Sequence, residues 1–337
     1  MTETTQSMQS PQLDDLDHQL VQSLLIDGRA AFSKIAAVLD VSDQTVIRRY
    51  RRLRTAGLIR VVGLPVGHRV GLLESWLRVQ CTPDAAVAVA DALARRPDIA
   101  WVTLNSGGTE VNCVTRARTR EDRDALLLHK LPRTRRVTAV TAHTVLRTFV
   151  GGPSRWLGLN QLTPLQVAAL ERPVQPGHGQ VQLDGTDLAL FAALARDGRL
   201  GYPELARATG LSESTARRRV EHLHDAGALF FDVEIDPALL GFPTQATLWA
   251  TVAPAGLAAA GAALAAHPGV PFAAAVTGSA NLVAVVLCRD TDELYEFLTN
   301  KLGSLPAIQH VELTPVIRTV KRAGLLTDGH RLVDPVE

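Results

Sequence analysis

The first part of the chain alternates apolar and polar positions at the period of an α-helix. Leu16, Leu20 and Leu24 recur at every fourth position, which places them on one helical face. Asp14 stands just before this run, where a short polar side chain caps a helix N-terminus. The Asp-Gly-Arg sequence at 27–29 follows it and signals a helix end. The pattern therefore predicts a first helix between these two signals.

Two further helices follow, separated by a tight turn. The second is opened by Ser33 and buries an apolar face that ends at Leu39. The third begins behind the capping residue Ser42, runs to Ala56 and stops at Gly57. Two helices joined by a turn of a few residues, with small residues where the helices approach, are typical of a helix-turn-helix. The segment is therefore predicted to be a helix-turn-helix domain.

After the helices, the apolar pattern indicates strands and helices in the order βαββαβ. Pro97 breaks the first of these helices, and Gly107 and Gly108 mark a turn between the two middle strands. This order is that of a ferredoxin-like domain. The predicted strands are residues 75–81, 99–104, 110–115 and 137–147, with helices over 82–95 and 120–128.

The whole pattern occurs a second time. Sliding the chain against itself aligns 13–20 with 183–190 and, at the same offset, 42–57 with 212–227. The offset lengthens by one in the strand region. The chain is therefore predicted to be a tandem duplication. We expect helix-turn-helix domains at 12–62 and 182–232, ferredoxin-like domains at 70–149 and 242–322, and a linker at 150–181 with a short helix starting at Thr163-Pro164.

The charges balance over the whole chain but not along it. Lys and Arg number 35 against 34 Asp and Glu, yet residues 1–170 hold 22 against 15 and residues 171–337 hold 13 against 19. A basic half suggests an anionic partner, or attraction between the halves. Three scattered Cys in apolar segments indicate reduced, buried thiols. With no apolar run near the ~20 residues of a membrane span, we expect a cytoplasmic protein without a membrane partner.

The third helix of each unit has the side chains that a DNA recognition helix needs. Polar groups near its N-terminus can reach base edges, and arginines can hold phosphates. A charge run alone is usually a solvated face, so the inference depends on the cap-and-turn pattern that occurs twice. Glu221 and Asp225 dilute the charge of the second copy. The predicted DNA-binding residues are Ser42, Gln44, Thr45, Arg48, Arg49 and Arg52, with Ser212, Ser214, Thr215, Arg218 and Arg219.

These motifs resemble the Lrp/AsnC (feast/famine) family of transcriptional regulators, in a form with two fused copies. The resemblance rests on L-D-x-x-D, D-G-R, the helix-turn-helix and the glycine turn, and covers 12–149 and 182–322. It implies an α+β fold of two tandem units, each a winged-type helix-turn-helix domain plus a ferredoxin-like (RAM or AsnC effector) domain. It also implies sequence-specific binding to double-stranded DNA and self-association as a homodimer or higher oligomer.

The resemblance further implies a small-molecule effector, an amino acid or a related metabolite, near a Gly-Asp-x-Asp turn between the middle strands. Both aspartates are missing in both copies, so a different ligand, no ligand and a plain turn at an interface all stay open. The matching residues are Gly107, Gly108 and Glu110 in the first unit, and Gly278, Ser279 and Asn281 in the second.

Two alternatives to a regulator remain. Sirohaem decarboxylases resemble this fused architecture, but the matching stretches 101–105 and 273–277 hold no His, Tyr or Arg for tetrapyrrole chemistry. His222 and His224 lie two positions apart on a helix, hence on different faces, and do not form a metal site. We therefore expect no enzyme activity, no cofactor and no metal. The second alternative is a nucleoid-organising protein with weak sequence preference.

Overall fold

The first unit contains both predicted domains in the predicted order. We describe a computed structural model of the chain for residues 12–154, 156, 158–172 and 179–334. The elements are α1 (Asp15–Ile26), α2 (Phe32–Leu39), α3 (Asp43–Thr55), β1 (Ile59–Pro65), β2 (Leu73–Cys81), α4 (Ala86–Ala94), β3 (Ile99–Asn105), β4 (Glu110–Ala117), α5 (Arg120–Asp124) continued by a π-helical turn (Ala125–Lys130), and β5 (Val137–Val150).

The second unit repeats this order after the linker helix α6 (Pro164–Leu170) and adds two short antiparallel strands after β10. The α+β fold of two tandem units is therefore confirmed. Within the described ranges, no helix is long and apolar enough to cross a membrane. The elements are α7 (Gly185–Arg196), α8 (Tyr202–Thr209), α9 (Glu213–Asp225), β6 (Leu229–Ile235), β7 (Thr244–Val252), α10 (Leu257–Ala265), β8 (Phe272–Val276), β9 (Leu282–Cys288), α11 (Thr291–Glu296) with a π-helical turn (Phe297–Leu302), β10 (Ile308–Arg322), β11 (Leu325–Asp328) and β12 (Arg331–Val333).

Local signals set the helix ends in both helix-turn-helix domains. The Asp14 side chain accepts a hydrogen bond from the Asp17 backbone N–H, in a capping box that the second unit repeats. The turn after α2 requires a left-handed residue, which is Asp40 at φ 54°. Its counterpart Gly210 takes φ 71° without the steric cost of a Cβ. Both copies therefore make the same tight turn with different residues.

A two-stranded antiparallel ribbon joins the two helix-turn-helix domains. Strands β1 and β6 pair with each other along their whole length, and Val62 lies opposite Asp232. These two residues are equivalent positions of the repeat, so a local twofold axis passes between them. Among the described strands, neither has a partner in its own unit. A shared ribbon therefore takes the place of a wing hairpin, and residues 62 and 232 lie inside strands rather than at domain ends.

The strands of the two ferredoxin-like domains close into one ring. Their orders are β3-β4-β2-β5 and β8-β9-β7-β10, and β5 pairs with β8 while β10 pairs with β3. Arg147 lies opposite Ala275, and Arg318 lies opposite Leu104, which is the same pairing with the two units exchanged. The two junctions thus obey the same twofold relation as the ribbon. Closure pairs the edge strands, so they do not stay open to other chains.

The linker docks on the first helix-turn-helix domain rather than running free. The Gln22 side chain in α1 donates to the Leu159 carbonyl at 2.7 Å and accepts from the backbone N–H of Gln161 at 2.7 Å. Helix α6 starts at the predicted Thr163-Pro164 signal, and its Leu170 is fully buried against this domain. The linker thus covers part of the first helix-turn-helix domain, and this contact distinguishes the first unit from the second.

Candidate nucleic-acid interface

Helix α3 turns one face to the core and the other to solvent. Val46, Tyr50 and Leu53 are buried, at the spacing that the sequence predicts. The opposite face carries polar residues in its first turn and arginines behind them. Such a face fits the major groove of DNA, where the first turn meets base edges and the arginines meet phosphates. The exposed residues are Ser42, Asp43, Gln44, Arg48, Arg51, Arg52 and Thr55.

Helix α9 has the same division with a different surface. Ala216, Val220 and Leu223 are buried. The solvent face mixes acids with arginines, so its positive potential is weaker than that of α3. The exposed residues are Ser212, Glu213, Ser214, Arg217, Arg218, Glu221, His222 and Asp225.

The predicted Ser and Thr residues cap the N-termini of both α3 and α9. Ser42 Oγ accepts a hydrogen bond from the Thr45 backbone N–H at 3.2 Å and lies 2.9 Å from the Thr45 hydroxyl. Ser212 and Thr215 repeat both contacts at 3.2 and 2.8 Å. These hydroxyls are therefore used in capping. Gln44, by contrast, makes no hydrogen bond with any described residue and extends into solvent.

Arg49 lies in the joint between α1 and α3. Its Nη1 is 2.6 Å from Asp14 Oδ2 and 2.9 Å from Asp17 Oδ1. The hydrogen bond from Arg49 lowers the pKa of Asp14 and raises that of Arg49 itself. Arg52 is half-exposed and also pairs with Asp17, which is buried. The structure thus places Arg49 where it fixes α3 against α1, while Arg48 is exposed.

The second unit repeats this joint. Arg219 pairs with Asp184, and its Nε lies 3.1 Å from Asp187 Oδ1. The backbone N–H of Asp187 and the Arg219 guanidinium both lower the pKa of Asp184. The sequence carries the signal for this contact, because the D-x-x-D motif and its arginine partner recur together at the repeat offset. That pairing was not predicted.

The D-G-R segments join the two helix-turn-helix domains through a reciprocal exchange of arginines. Arg29 donates to the carbonyls of Gly198 and Leu200 at 2.7 and 3.1 Å. Arg199 donates to the carbonyls of Gly28 and Ala30 at 2.6 and 2.9 Å. Each arginine therefore binds the backbone beside the other one. The exchange obeys the local twofold and fixes the two domains against each other.

Aromatic rings complete this joint. Arg29 lies over the Tyr202 ring at 5.1 Å, and Arg199 lies over the Phe32 ring at 4.2 Å. Burial lowers the pKa of both arginines. From the sequence, D-G-R indicates a helix stop and recurs at 27–29 and 197–199, but nothing in the sequence indicates that the two arginines bind each other's segments. A motif shared by both copies can serve the contact between them, which only the tertiary structure shows.

The predicted effector turn of the first unit is open, but its carboxylate faces inward. Gly107 and Gly108 have φ of 70° and 85°, and a Cβ at either would meet only open space. Glu110 is buried, and its Oε2 accepts a hydrogen bond from Arg78 Nη2 at 2.7 Å. Asn112 also donates to Glu110, at 3.1 Å. The Glu110 carboxylate is thus held by the protein itself.

The matching turn of the second unit is also engaged. Asn281 donates from Nδ2 to the Val252 carbonyl at 2.8 Å and accepts from the Val252 N–H at 2.9 Å. Ser279 accepts from the Thr251 hydroxyl through its carbonyl. Gly278 has φ 112°, and a Cβ there would lie 2.8 Å from the His143 ring. The effector assignment stays a prediction. Of the residues assigned to it, Gly107 and Gly108 have open space beside their backbone.

One arginine bridges the two ferredoxin-like sheets. Arg78 on β2 binds Glu110 of its own sheet and Glu312 on β10, with Nη2 2.6 Å from Glu312 Oε1. Burial opposes the charge of Arg78, but hydrogen bonds to Glu312 and Glu110 raise its pKa above the ordinary value. Its guanidinium also lies 5.1 Å from the centre of the Trp249 ring, which packs edge-on against Trp76 between the sheets. This contact ties the two units together.

Comparisons with known proteins agree with this arrangement. The model of the AsnC-type helix-turn-helix domain matches residues 13–54 and 183–224, and that of the Lrp/AsnC ligand binding domain matches 245–326. An HTH-type transcriptional regulator of Pyrococcus horikoshii is 31% identical over 150 residues, covering 44% of this chain and 94% of that protein. Regulatory protein AsnC of Escherichia coli is 30% identical over 146 residues, covering 41% of this chain and 96% of that protein.

A solved structure is similar over both units at once. The crystal structure of a sirohaem decarboxylase superposes with a TM-score of 0.60 and 13% identity, covering 92% of this chain and 93% of that one. At this identity the likeness shows the fold alone. The tandem arrangement is therefore shared with a sirohaem decarboxylase, and a shared fold does not decide the function, which depends on the residues of the site.

Proposed function

The chain belongs to the Lrp/AsnC family and is a DNA-binding transcriptional regulator; on this basis we propose that α3 and α9 of one molecule bind two half-sites of the same DNA duplex. The observation that carries the proposal is the local twofold, which relates the two exposed helix faces through the ribbon and the arginine exchange. Two recognition helices related in this way suit half-sites roughly one helical turn apart.

The predicted residues take four roles in this proposal. Gln44 and Ser214, in the first turns, meet base edges, while the caps Ser42 and Ser212 with Thr45 and Thr215 hold those turns in place. Arg48, Arg52 and Arg218 contact phosphates. Arg49 and Arg219 orient their helices through the carboxylates of α1 and α7.

The first unit supplies most of the electrostatic affinity. Among the exposed residues of α3 there are three arginines and one acid, whereas α9 exposes two arginines and three acids. Each phosphate neutralised by a basic side chain releases counterions, so the more basic helix gains more affinity and a steeper salt dependence.

Fluorescence anisotropy with the chain's own upstream DNA and with a scrambled duplex, each at several salt concentrations, tests the proposal. We expect tighter binding to the upstream DNA, with log K falling against log salt by about 0.9 per phosphate contact. Equal affinity for both duplexes would favour a nucleoid-organising protein of weak sequence preference. No binding to either duplex at low salt would contradict DNA binding altogether.

Regulation by a metabolite and self-association belong to the same proposal. The match of 245–326 to a ligand binding domain supports a small-molecule effector, such as an amino acid, at the ferredoxin-like domains. Leu146 on β5 and Ile317 on β10 are exposed apolar residues related by the local twofold, which supports assembly of this chain into a homodimer or higher oligomer. Calorimetric titration with amino acids and light scattering at micromolar concentration test the two parts separately.

We propose no decarboxylase activity for the chain. In the first unit, the stretch matched to the tetrapyrrole-binding segment forms β3 and ends at Asn105, whose amide donates to the Thr247 hydroxyl at 3.2 Å. In the second unit it forms β8, which is built mainly from alanines. Absence of a product when sirohaem is incubated with the chain would agree with this part of the proposal, and its decarboxylation would overturn it.

A further inference from the structure

The two recognition helices differ at positions that face DNA. The repeat offset pairs Gln44 with Ser214 in the first turn, and all four of these helix-start positions on the two helices, 43, 44, 213 and 214, are exposed. One and two turns later, the same offset pairs Ile47 with Arg217 and Arg51 with Glu221. The caps and the orienting arginines are shared, whereas the exposed first-turn residues differ between the two helices.

The scaffold that holds these helices is symmetric, in contrast to the helices themselves. The ribbon is centred on Val62 and Asp232, and the arginine exchange between Arg29 and Arg199 is reciprocal. Both helices therefore present their first turns at equivalent distances from the local twofold. Since the units are fused, every molecule contains one helix of each kind, and a copy with two identical readers cannot form within one chain.

The first-turn side chains have different hydrogen-bonding abilities. The Gln44 amide carries a donor and an acceptor, which together match N6 and N7 of adenine in the major groove. Ser214 has a single hydroxyl that can donate to or accept from a base edge and so suits any base, and it lies 3.1 Å from the Ser212 hydroxyl. The position under Gln44 is therefore selective for adenine, and the equivalent position under Ser214 is tolerant.

Charge reinforces the difference two turns along the helices. Arg51 is exposed on α3 and attracts phosphate, whereas the equivalent Glu221 on α9 repels it. If the duplex were bound in the reverse direction, its adenine would lie under Ser214 of α9 and Gln44 of α3 would meet a base that it does not match. The duplex that fits best thus has a defined direction.

We propose that the chain recognises a non-palindromic DNA site in one orientation, with an adenine-selective half-site under α3 and a half-site under α9 that is tolerant at the equivalent position. The inference rests on the proposed function, since it requires that both helices contact DNA. An oriented complex places the linker helix α6, which is hydrogen-bonded to Lys34 and Val38 of the first unit, on one defined side of the operator.

Selection from a randomised duplex library, with the full chain, tests this directly. For the unmodified chain we expect a consensus with adenine fixed at one half-site and no preference at its mirror position. Replacing that adenine should weaken binding at least about fivefold, as for the loss of a bidentate base contact. Ser214→Gln should add the mirrored adenine and make the consensus more palindromic, whereas Gln44→Ser should remove the first adenine.

The outcomes separate this inference from the proposed function. A palindromic consensus bound tightly by the unmodified chain would overturn the inference and leave DNA binding intact. Failure of the Ser214→Gln variant to gain the mirrored adenine would overturn the inference as well, because position 214 of α9 would then not face a base. No binding to any duplex at low salt would contradict the proposed function itself. Both substituted positions are exposed, so unchanged thermal unfolding is expected of both variants and serves as the folding control.

The orientation can be measured independently. Thr55 is exposed near the end of α3, and the three native cysteines at 81, 113 and 288 are buried. A Thr55→Cys variant labelled with an iron chelate should therefore cleave DNA from a single position on the chain. Cleavage beside the adenine-containing half-site alone is the expected result. Equal cleavage beside both half-sites would overturn a single orientation.

Discussion

Replacing Arg29 by alanine should loosen the two helix-turn-helix domains from each other. Arg29 donates to the carbonyls of Gly198 and Leu200 and lies over the Tyr202 ring. No carboxylate of a described residue is paired with its guanidinium. The variant therefore leaves the Gly198 and Leu200 carbonyls of the second unit without the donor that the first unit supplies.

The expected loss follows from these contacts. An unsatisfied buried acceptor costs about 1–3 kcal/mol, so two cost roughly 2–6 kcal/mol. The lost cation–π contact adds about 0.5–2 kcal/mol. Relief of the guanidinium's desolvation, which lowers the pKa of Arg29, offsets part of this sum. We expect a net loss of about 3 kcal/mol, or a fall in Tm of roughly 10 °C or more for a pair of domains of this size.

Thermal unfolding followed by circular dichroism measures the effect, with two matched variants. Arg199→Ala breaks the twofold-related contacts and should cost a similar amount. Arg48→Ala removes an arginine that is exposed and makes no hydrogen bond or ion pair with a described residue, so its stability should stay within about 0.5 kcal/mol of the parent. Unchanged unfolding of Arg29→Ala would refute the view that this exchange holds the domains together.

Three further predictions concern DNA affinity, the bridge between the sheets and pH. Arg48→Ala should weaken DNA binding more than Arg218→Ala does and lower the salt slope by about one phosphate contact; equal losses in anisotropy titrations would contradict the asymmetry. Arg78→Met leaves Glu110 buried and unpaired and should cost about 3–5 kcal/mol in denaturant unfolding, and adding Glu110→Gln should restore most of it. Burial, with a smaller contribution from the charge of Asp232, raises the pKa of Glu234 from 4.5 to about 8. The folded state keeps Glu234 protonated over a pH range in which the unfolded chain has lost this proton. The contribution of Glu234 to the free energy of unfolding is therefore complete below pH 4.5 and is lost as the pH rises to about 8. Glu234→Gln should melt at a higher temperature than the parent at about pH 8.5 and at the same temperature at about pH 4, and parallel pH profiles would contradict this.

Much of the local structure could be predicted from the residues alone. The signals that define α3 depend on neighbouring residues only, so the helix begins and ends where these signals lie. They are the cap Ser42, the stop at Gly57 and the spacing of the buried Val46, Tyr50 and Leu53. The strand and helix order of both ferredoxin-like domains follows for the same reason. The internal repeat also made the two-unit architecture visible without any structure.

Sequence reasoning was weakest where a residue contacts a distant one. Among the described strands, β1 and β6 pair only with each other, so their pairing depends on the apposition of two domains from different repeats. In the sequence, Arg49 resembles the other basic side chains of α3. In the structure, Asp14 and Asp17 bind it, although they lie at the start of α1 and are more than 30 positions away. Glu110 reads as a ligand group, yet Arg78 binds it inside the ring.

The division has one physical cause. Helix caps, turns and the period of apolar residues act over a few neighbouring positions, so the elements and the repeated order of domains are written in the sequence. The use of a charged side chain depends on which groups the fold brings within hydrogen-bonding distance of it, and that is set only when the two units close around their twofold axis. Arg48 therefore has no partner among the described residues, whereas its neighbour in the sequence, Arg49, is bound by Asp14.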